Sequence, residues 1–225
     1  MLYWGNMSLS VTRPERALAF SYADKPPRPA LAALFALDDM LASILRSTRE
    51  PLIGQMRLTW WYEALGRLDT APAPAEPVLV ALKKEVLSSG VSGEMLARLT
   101  DGWDALLEPV LDVRAIERFA LDRGRRLFEA AAILIAVSDD RIGRAGEGWA
   151  LADLAQKLTD SAGRDLARVR SIAALDGALR GRWPSAARAL GALAVSARFD
   201  MMPEHSAPGS PKRIARLAWH RLTGY

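Results

Sequence analysis

At 225 residues, half apolar and a quarter charged, the chain has the length of one ordinary domain or at most two small ones, and a folded rather than a disordered composition. It has no cysteine, which excludes a disulfide framework, thiolate metal sites and a cysteine nucleophile; its two histidines, His205 and His220, are too few for a histidine-based metal centre. The net charge is +4, with 25 of the 30 cations arginine, a balance that suits phosphates, diphosphates or anionic lipid without requiring any of them. The longest apolar runs, Ala30–Leu37 and Ala130–Val137, have eight residues each, far short of the ~18 that a membrane span needs. Met1–Ser10 lacks the basic-then-apolar succession of a secretory signal. The expectation is a cytoplasmic protein, with peripheral contact to the inner membrane left open.

Thirty-nine alanines, with abundant leucine and arginine, favour helix almost everywhere, and neither strand alternation nor a hairpin dipeptide is present. A first helix is predicted after Thr12, with Pro14 in its first turn. Lys25–Pro29 breaks the chain, and a second helix runs from about Ala30 to Arg46. After a break at Ser47–Pro51 comes a helix with Leu58, Trp61 and Leu65 on one face. Neighbouring helical residues diverge by ~100°, so Trp61 is assigned to the core. Trp60, with Met56 and Arg57, then borders a ligand or partner surface. Thr70–Pro77 reads as a Pro/Ala connector. Further helices are predicted at about 78–88, 93–107, 114–137, 148–159, 163–180, 184–198 and 211–222, punctuated by Gly90, Gly93, Pro109, Gly143, Gly146 and Pro203–Pro211. The whole chain, 1–225, reads as a single all-α domain. Its core should include Leu34, Phe35, Leu58, Trp61, Ile116, Phe119, Leu127, Ile133 and Leu154.

Without cysteine or a histidine set, carboxylates are the natural machinery. Asp38-Asp39, Asp139-Asp140, and Asp160 with Asp165 are the candidates. Acids facing each other across a helical cavity could hold Mg²⁺, which takes hard oxygen ligands and substrate phosphates. A single helix needs i, i+3 or i+4 spacing for this, and positions 41–43 are Leu, Ala and Ser, so a solvated or salt-bridged surface competes with that role. Arg123-Gly-Arg-Arg126 and Arg164, Arg168 and Arg170 could bind diphosphate through bidentate guanidinium groups or line a solvated face. Gly146-Glu-Gly148 reads as a turn, and His205-Ser206 as an accidental pair without a triad. Basic residues are mixed with acids along the chain and no nucleic-acid-binding motif occurs, so nucleic acid is not an expected partner. Lys212–Leu222 forms a basic amphipathic helix with a tryptophan, a type that lies on anionic membranes. The competing expectation is that it docks on the domain through Ile214, Leu217 and Ala218.

Several segments together resemble the squalene/phytoene synthase family. Arg28-Pro-Ala-Leu-Ala-Ala-Leu-Phe-Ala-Leu37 is similar to its "RPAxxALYAF" stretch and Leu58-Thr-Trp-Trp61…Leu65 to "LxxWxxxL". Glu76–Leu82 resembles "HPVLxAL", and Leu99-Thr-Asp-Gly-Trp103 resembles "LIDGM". Ala115–Phe119 fits "xLxxY", and Leu222-Thr-Gly224 fits a C-terminal "LTG". The segments follow family order and cover most of the chain.

The resemblance implies an all-α isoprenoid-synthase fold with a central cavity. Active relatives join two prenyl diphosphates head to head, using Mg²⁺ held by two aspartate-rich motifs on facing helices. In family register the first motif falls on Ala42-Ser-Ile-Leu-Arg46, which carries no acid, with Asp38-Asp39 about one turn early. The second, "QLTNILRDxxED", is echoed only by Gln156–Asp160 and Arg164-Asp165. The chain is also short, closer to a reduced branch that includes relatives acting in assembly of mitochondrial complex I. Two readings follow. In one, metal ligands are drawn from Asp38, Asp39, Asp160 and Asp165, Arg164 meets phosphate, and Trp60 and Arg57 border the substrate. In the other the fold persists without the condensation, serving an isoprenoid, another lipid or a protein partner. Too few converging acids favour the second, because the leaving diphosphate charge then lacks its Mg²⁺ counterweight.

Overall fold

The computed structural model describes residues 14–108, 110–202 and 207–225, and among them every element is helical. Twelve α-helices are found there: α1 (Pro14–Phe20), α2 (Arg28–Ser47), α3 (Pro51–Gly66), α4 (Pro77–Glu85), α5 (Gly93–Ala97), α6 (Leu99–Asp104), α7 (Val113–Arg118), α8 (Arg126–Leu134), α9 (Arg141–Ala155), α10 (Ser161–Ala178), α11 (Arg188–Asp200) and α12 (Pro211–Thr223). A π-helical segment, Phe119–Arg125, joins α7 to α8. The start signals are local. Proline occupies the first turn of α2, α3, α4 and α12, where its missing N–H costs nothing. The side chains of Glu76, Ser92, Asp112 and Asp160 accept from the backbone N–H three residues on, capping α4, α5, α7 and α10.

Several boundaries differ from the sequence reading. The stretch expected as one helix over 93–107 is divided into α5, α6 and a 3₁₀ turn at Ala105–Leu107. α9 starts at Arg141, so Gly143, Gly146 and Gly148 lie inside a helix rather than in turns. Their role is close packing. A β-carbon on Gly146 would sit 2.2 Å from the Gly124 carbonyl oxygen, and one on Gly124 would sit 2.4 Å from that of Gly146. Two backbones thus touch where the π segment crosses α9. Pro109, His205 and Ser206 lie outside the described residues.

α9 lies at the centre, flanked by α10, the π segment, α11 and α8, while α2 closes the other side against α4, α8 and α6. Eight of the nine expected core residues are buried. Ile133 is exposed instead: α8 buries Leu127, Ala130, Ala131 and Leu134, and Ile133 stands off that stripe. α12 also corrects an expectation. It docks through Arg213, Leu217 and His220, and leaves Ile214 and Ala218 outside.

Candidate functional site: a guanidinium between facing carboxylates

Five of the seven residues of the π segment are buried: Phe119, Ala120, Asp122, Arg123 and Gly124. Such π segments interrupt α-helices, frequently at functional sites, and here Asp122, Arg123 and Gly124 are buried in succession. Arg123 reaches the middle of the bundle. Its Nε and Nη2 donate to the two carboxylate oxygens of Asp38 on α2, at 2.8 and 2.9 Å, and its Nη1 donates to Asp153 on α9 at 2.7 Å. Lys157, one turn after Asp153, donates to the same carboxylate at 2.6 Å. The guanidinium carbon lies 4.3 Å from the Trp103 ring centre, 4.7 Å from that of Trp149 and 5.1 Å from that of Phe119. Three aromatic faces thus replace water around the cation. Burial alone would lower the Arg123 pKa, yet the attraction and hydrogen bonds of Asp38 and Asp153 raise it above the ordinary arginine value. The aromatic packing continues outward, with Phe35, Phe128 and Trp149 in mutual ring contact.

The acids assigned from the sequence do not converge. Asp38 is buried and holds Arg123. Asp39 points out and accepts from Arg16 at 2.9 Å. Asp160 spends one oxygen on the N–H of Gly163, at 2.6 Å, as the cap of α10. Asp165 and Arg164 are exposed in the first turns of that helix. Ala42, Ile44 and Leu45, where family register puts the first acidic motif, pack into the core. Among the described residues no group of three acidic or histidine side chains could hold a metal ion. The donor set therefore does not fit Mg²⁺: of the two carboxylates that do face each other, Asp38 and Asp153, both already face a guanidinium.

Trp61 is 6% exposed and Trp60 48%, as the helical arc requires. Arg57 donates to Ser47 and Thr48 hydroxyls at 2.9 and 3.2 Å, tying α3 to the end of α2. Sequence reasoning missed Asp153, although its signal was present: it is the lone acid in the apolar run Trp149–Ala155. A charge there is expected to be paired.

A groove of about 350 Å³ opens between the π segment, α7, α9 and α10. Ile116, Ala120, Leu121, Leu151, Ala173 and Ala174 give it an apolar floor, with Glu117, Glu147 and Arg170 among its walls. Glu117 accepts from Arg170 at 2.5 Å and Glu147 from Arg125 at 2.7 Å, so both rim acids are paired.

No curated protein and no solved structure matches the chain. Comparison with protein families, however, matches residues 11–168, α1 through the first half of α10, to squalene/phytoene synthase. That span contains α1 through α9, the facing positions on α2 and α9, and every segment that suggested the likeness except the C-terminal Leu222-Thr-Gly224. The chain belongs to the squalene/phytoene synthase family.

Proposed function

We propose that this chain is a family member that has given up the head-to-head condensation and binds a neutral isoprenoid or similar lipid instead. The observation that carries the proposal is Arg123: a fixed cation sits between the carboxylates of two facing helices, caged by aromatic rings. A guanidinium can neutralise those acids but offers no open coordination position to a diphosphate, so ionisation of a prenyl diphosphate lacks the electrostatic support it needs. The apolar groove beside α9 supplies the binding half of the proposal. Its volume falls at the lower end of the range for ligand pockets. Its walls carry two carboxylates and one guanidinium, a poor seat for a diphosphate and a neutral one for hydrocarbon.

The test has two arms. Purified protein incubated with farnesyl or geranylgeranyl diphosphate, Mg²⁺ and NADPH should release no C30 or C40 hydrocarbon. Organic extraction of the purified chain followed by mass spectrometry should recover an isoprenoid or other lipid, and Ala173→Trp, which adds bulk to the lining of the groove, should lower the amount recovered. Hydrocarbon formation overturns the loss of chemistry. Absence of any extractable or added lipid that binds overturns the binder.

A further inference from the structure

α12 is mounted with its apolar face outward. Its inward face carries Arg213, Leu217 and His220, two of which are among the most polar residues of the helix. The cause is an ion-pair anchor. Arg213 donates to both carboxylate oxygens of Glu15 on α1, at 2.7 and 2.5 Å, and to Asp200 at the end of α11 at 2.6 Å. The Gly209 N–H, at 2.8 Å, and the Ser196 hydroxyl also donate to Glu15. Burial raises the Glu15 pKa, but these donors more than offset it and the net value is lowered, so the anchor is ionic. With Arg213 fixed inward, the ~100° step per residue sends Ile214, Ala218, Leu222, Ala215 and Trp219 to the far side. Trp219 is 56% exposed and Leu222 74%.

The stripe is flanked by cations on both edges. By the same angular step, Lys212 and Arg216 lie beyond Trp219, and Arg221 lies beyond Ile214. The helix contains no acidic residue. Arg182 and Arg188 add two more cations at its C-terminal end, where they donate to the carbonyls of Thr223 and of Arg221. An outward apolar stripe with a tryptophan, edged by lysine and arginine, is the arrangement that lies in the plane of a bilayer surface: the apolar side chains enter the acyl boundary and the cations meet lipid phosphate. No helix among the described residues is long and apolar enough to cross a membrane, so the contact is one of surface.

We infer that the outer face of α12 docks this protein on an anionic phospholipid bilayer, through Ile214, Trp219 and Leu222 as the inserted residues and Lys212 and Arg221 as the phosphate-facing ones. α12 lies outside the family-matched residues, and the docking is independent of whether condensation chemistry survives.

The experiment is co-sedimentation of the full chain with vesicles of phosphatidylcholine alone and of phosphatidylcholine containing phosphatidylglycerol. Binding is expected on the second and little on the first, with strong weakening at roughly 0.5 M NaCl, where charges are screened within a few ångström. Lys212→Gln with Arg221→Gln should weaken binding about five-fold per charge removed. Trp219→Ser with Leu222→Ser should weaken it by about ten-fold or more, while its melting curve matches that of the unchanged chain because both side chains are exposed. Absence of binding to anionic vesicles, or undiminished binding by the Trp219→Ser, Leu222→Ser chain, overturns the proposal. So does a lipid-free dimer in sedimentation equilibrium that the same double variant dissociates, since the face would then belong to a second copy.

Discussion

Replacing Arg123 with methionine keeps much of the side-chain length and removes the charge. Three hydrogen bonds disappear, two to Asp38 and one to Asp153, from residues that are all buried. Asp153 keeps Lys157 at 2.6 Å, so the burden falls on Asp38, which loses the donors to both of its oxygens. Removing one partner of a buried ion pair costs about 3–5 kcal/mol, because an uncompensated charge stays behind. Loss of the Trp103 and Trp149 cation contacts adds to this. Against a total stability of roughly 5–15 kcal/mol for a domain, the loss is severe. Urea unfolding followed by circular dichroism at pH 7 measures it. Two further results are specific to the charge. Arg123→Met combined with Asp38→Asn should be more stable than Arg123→Met alone, since the stranded carboxylate is gone. The deficit of Arg123→Met should also shrink as pH falls toward 4–5, because a buried carboxyl without its cation takes up a proton more readily than in the unfolded chain. A loss below about 1 kcal/mol, or a double variant weaker than the single one, would refute the assignment of Arg123 as the central counter-ion.

Two other perturbations test the packing. Trp61→Ala should lower stability by roughly 3–5 kcal/mol as a buried aromatic, and Trp60→Ala by clearly less; a reversed order in thermal melts would overturn the face assignment of α3. His220 is buried against Trp183 with Nδ1 3.1 Å from the Tyr225 carbonyl oxygen, and burial pushes its pKa down to about 4. The unfolded chain then binds the proton more readily, so stability is full above about pH 6.5 and falls on acidification toward pH 4, by about 1.4 kcal/mol per pH unit crossed. His220→Gln should flatten that window in denaturation series at stepped pH, leaving the loss tied to Glu15, which begins as pH falls into the ordinary carboxylate range and continues below it; an unchanged slope between about pH 6.5 and 5 would show that another group titrates there.

Helix content, most of the breaks and the inward turn of Trp61 were legible in the sequence, because prolines, caps and the 3.6-residue period act within a few residues of one another. The family was legible for a related reason: short apolar and aromatic segments kept their order along the chain. Glycine in α9 was misread because local propensity treats it as a break, whereas Gly146 answers to a backbone that arrives from Gly124, across another helix. The candidate site had the same limit. Of the three arginines in the run Arg123-Gly-Arg-Arg126, only Arg123 is buried, and its partners lie 85 and 30 residues away in the chain. The orientation of α12 turned on Arg213 finding Glu15, 198 residues away. Apolar periodicity marked both faces of that helix as plausible. A buried charge must be paired, and that pairing overrides the weaker preference of a few leucine and isoleucine side chains for the interior. Which acid a given arginine meets depends on how distant helices are stacked, and that was settled only when the bundle closed.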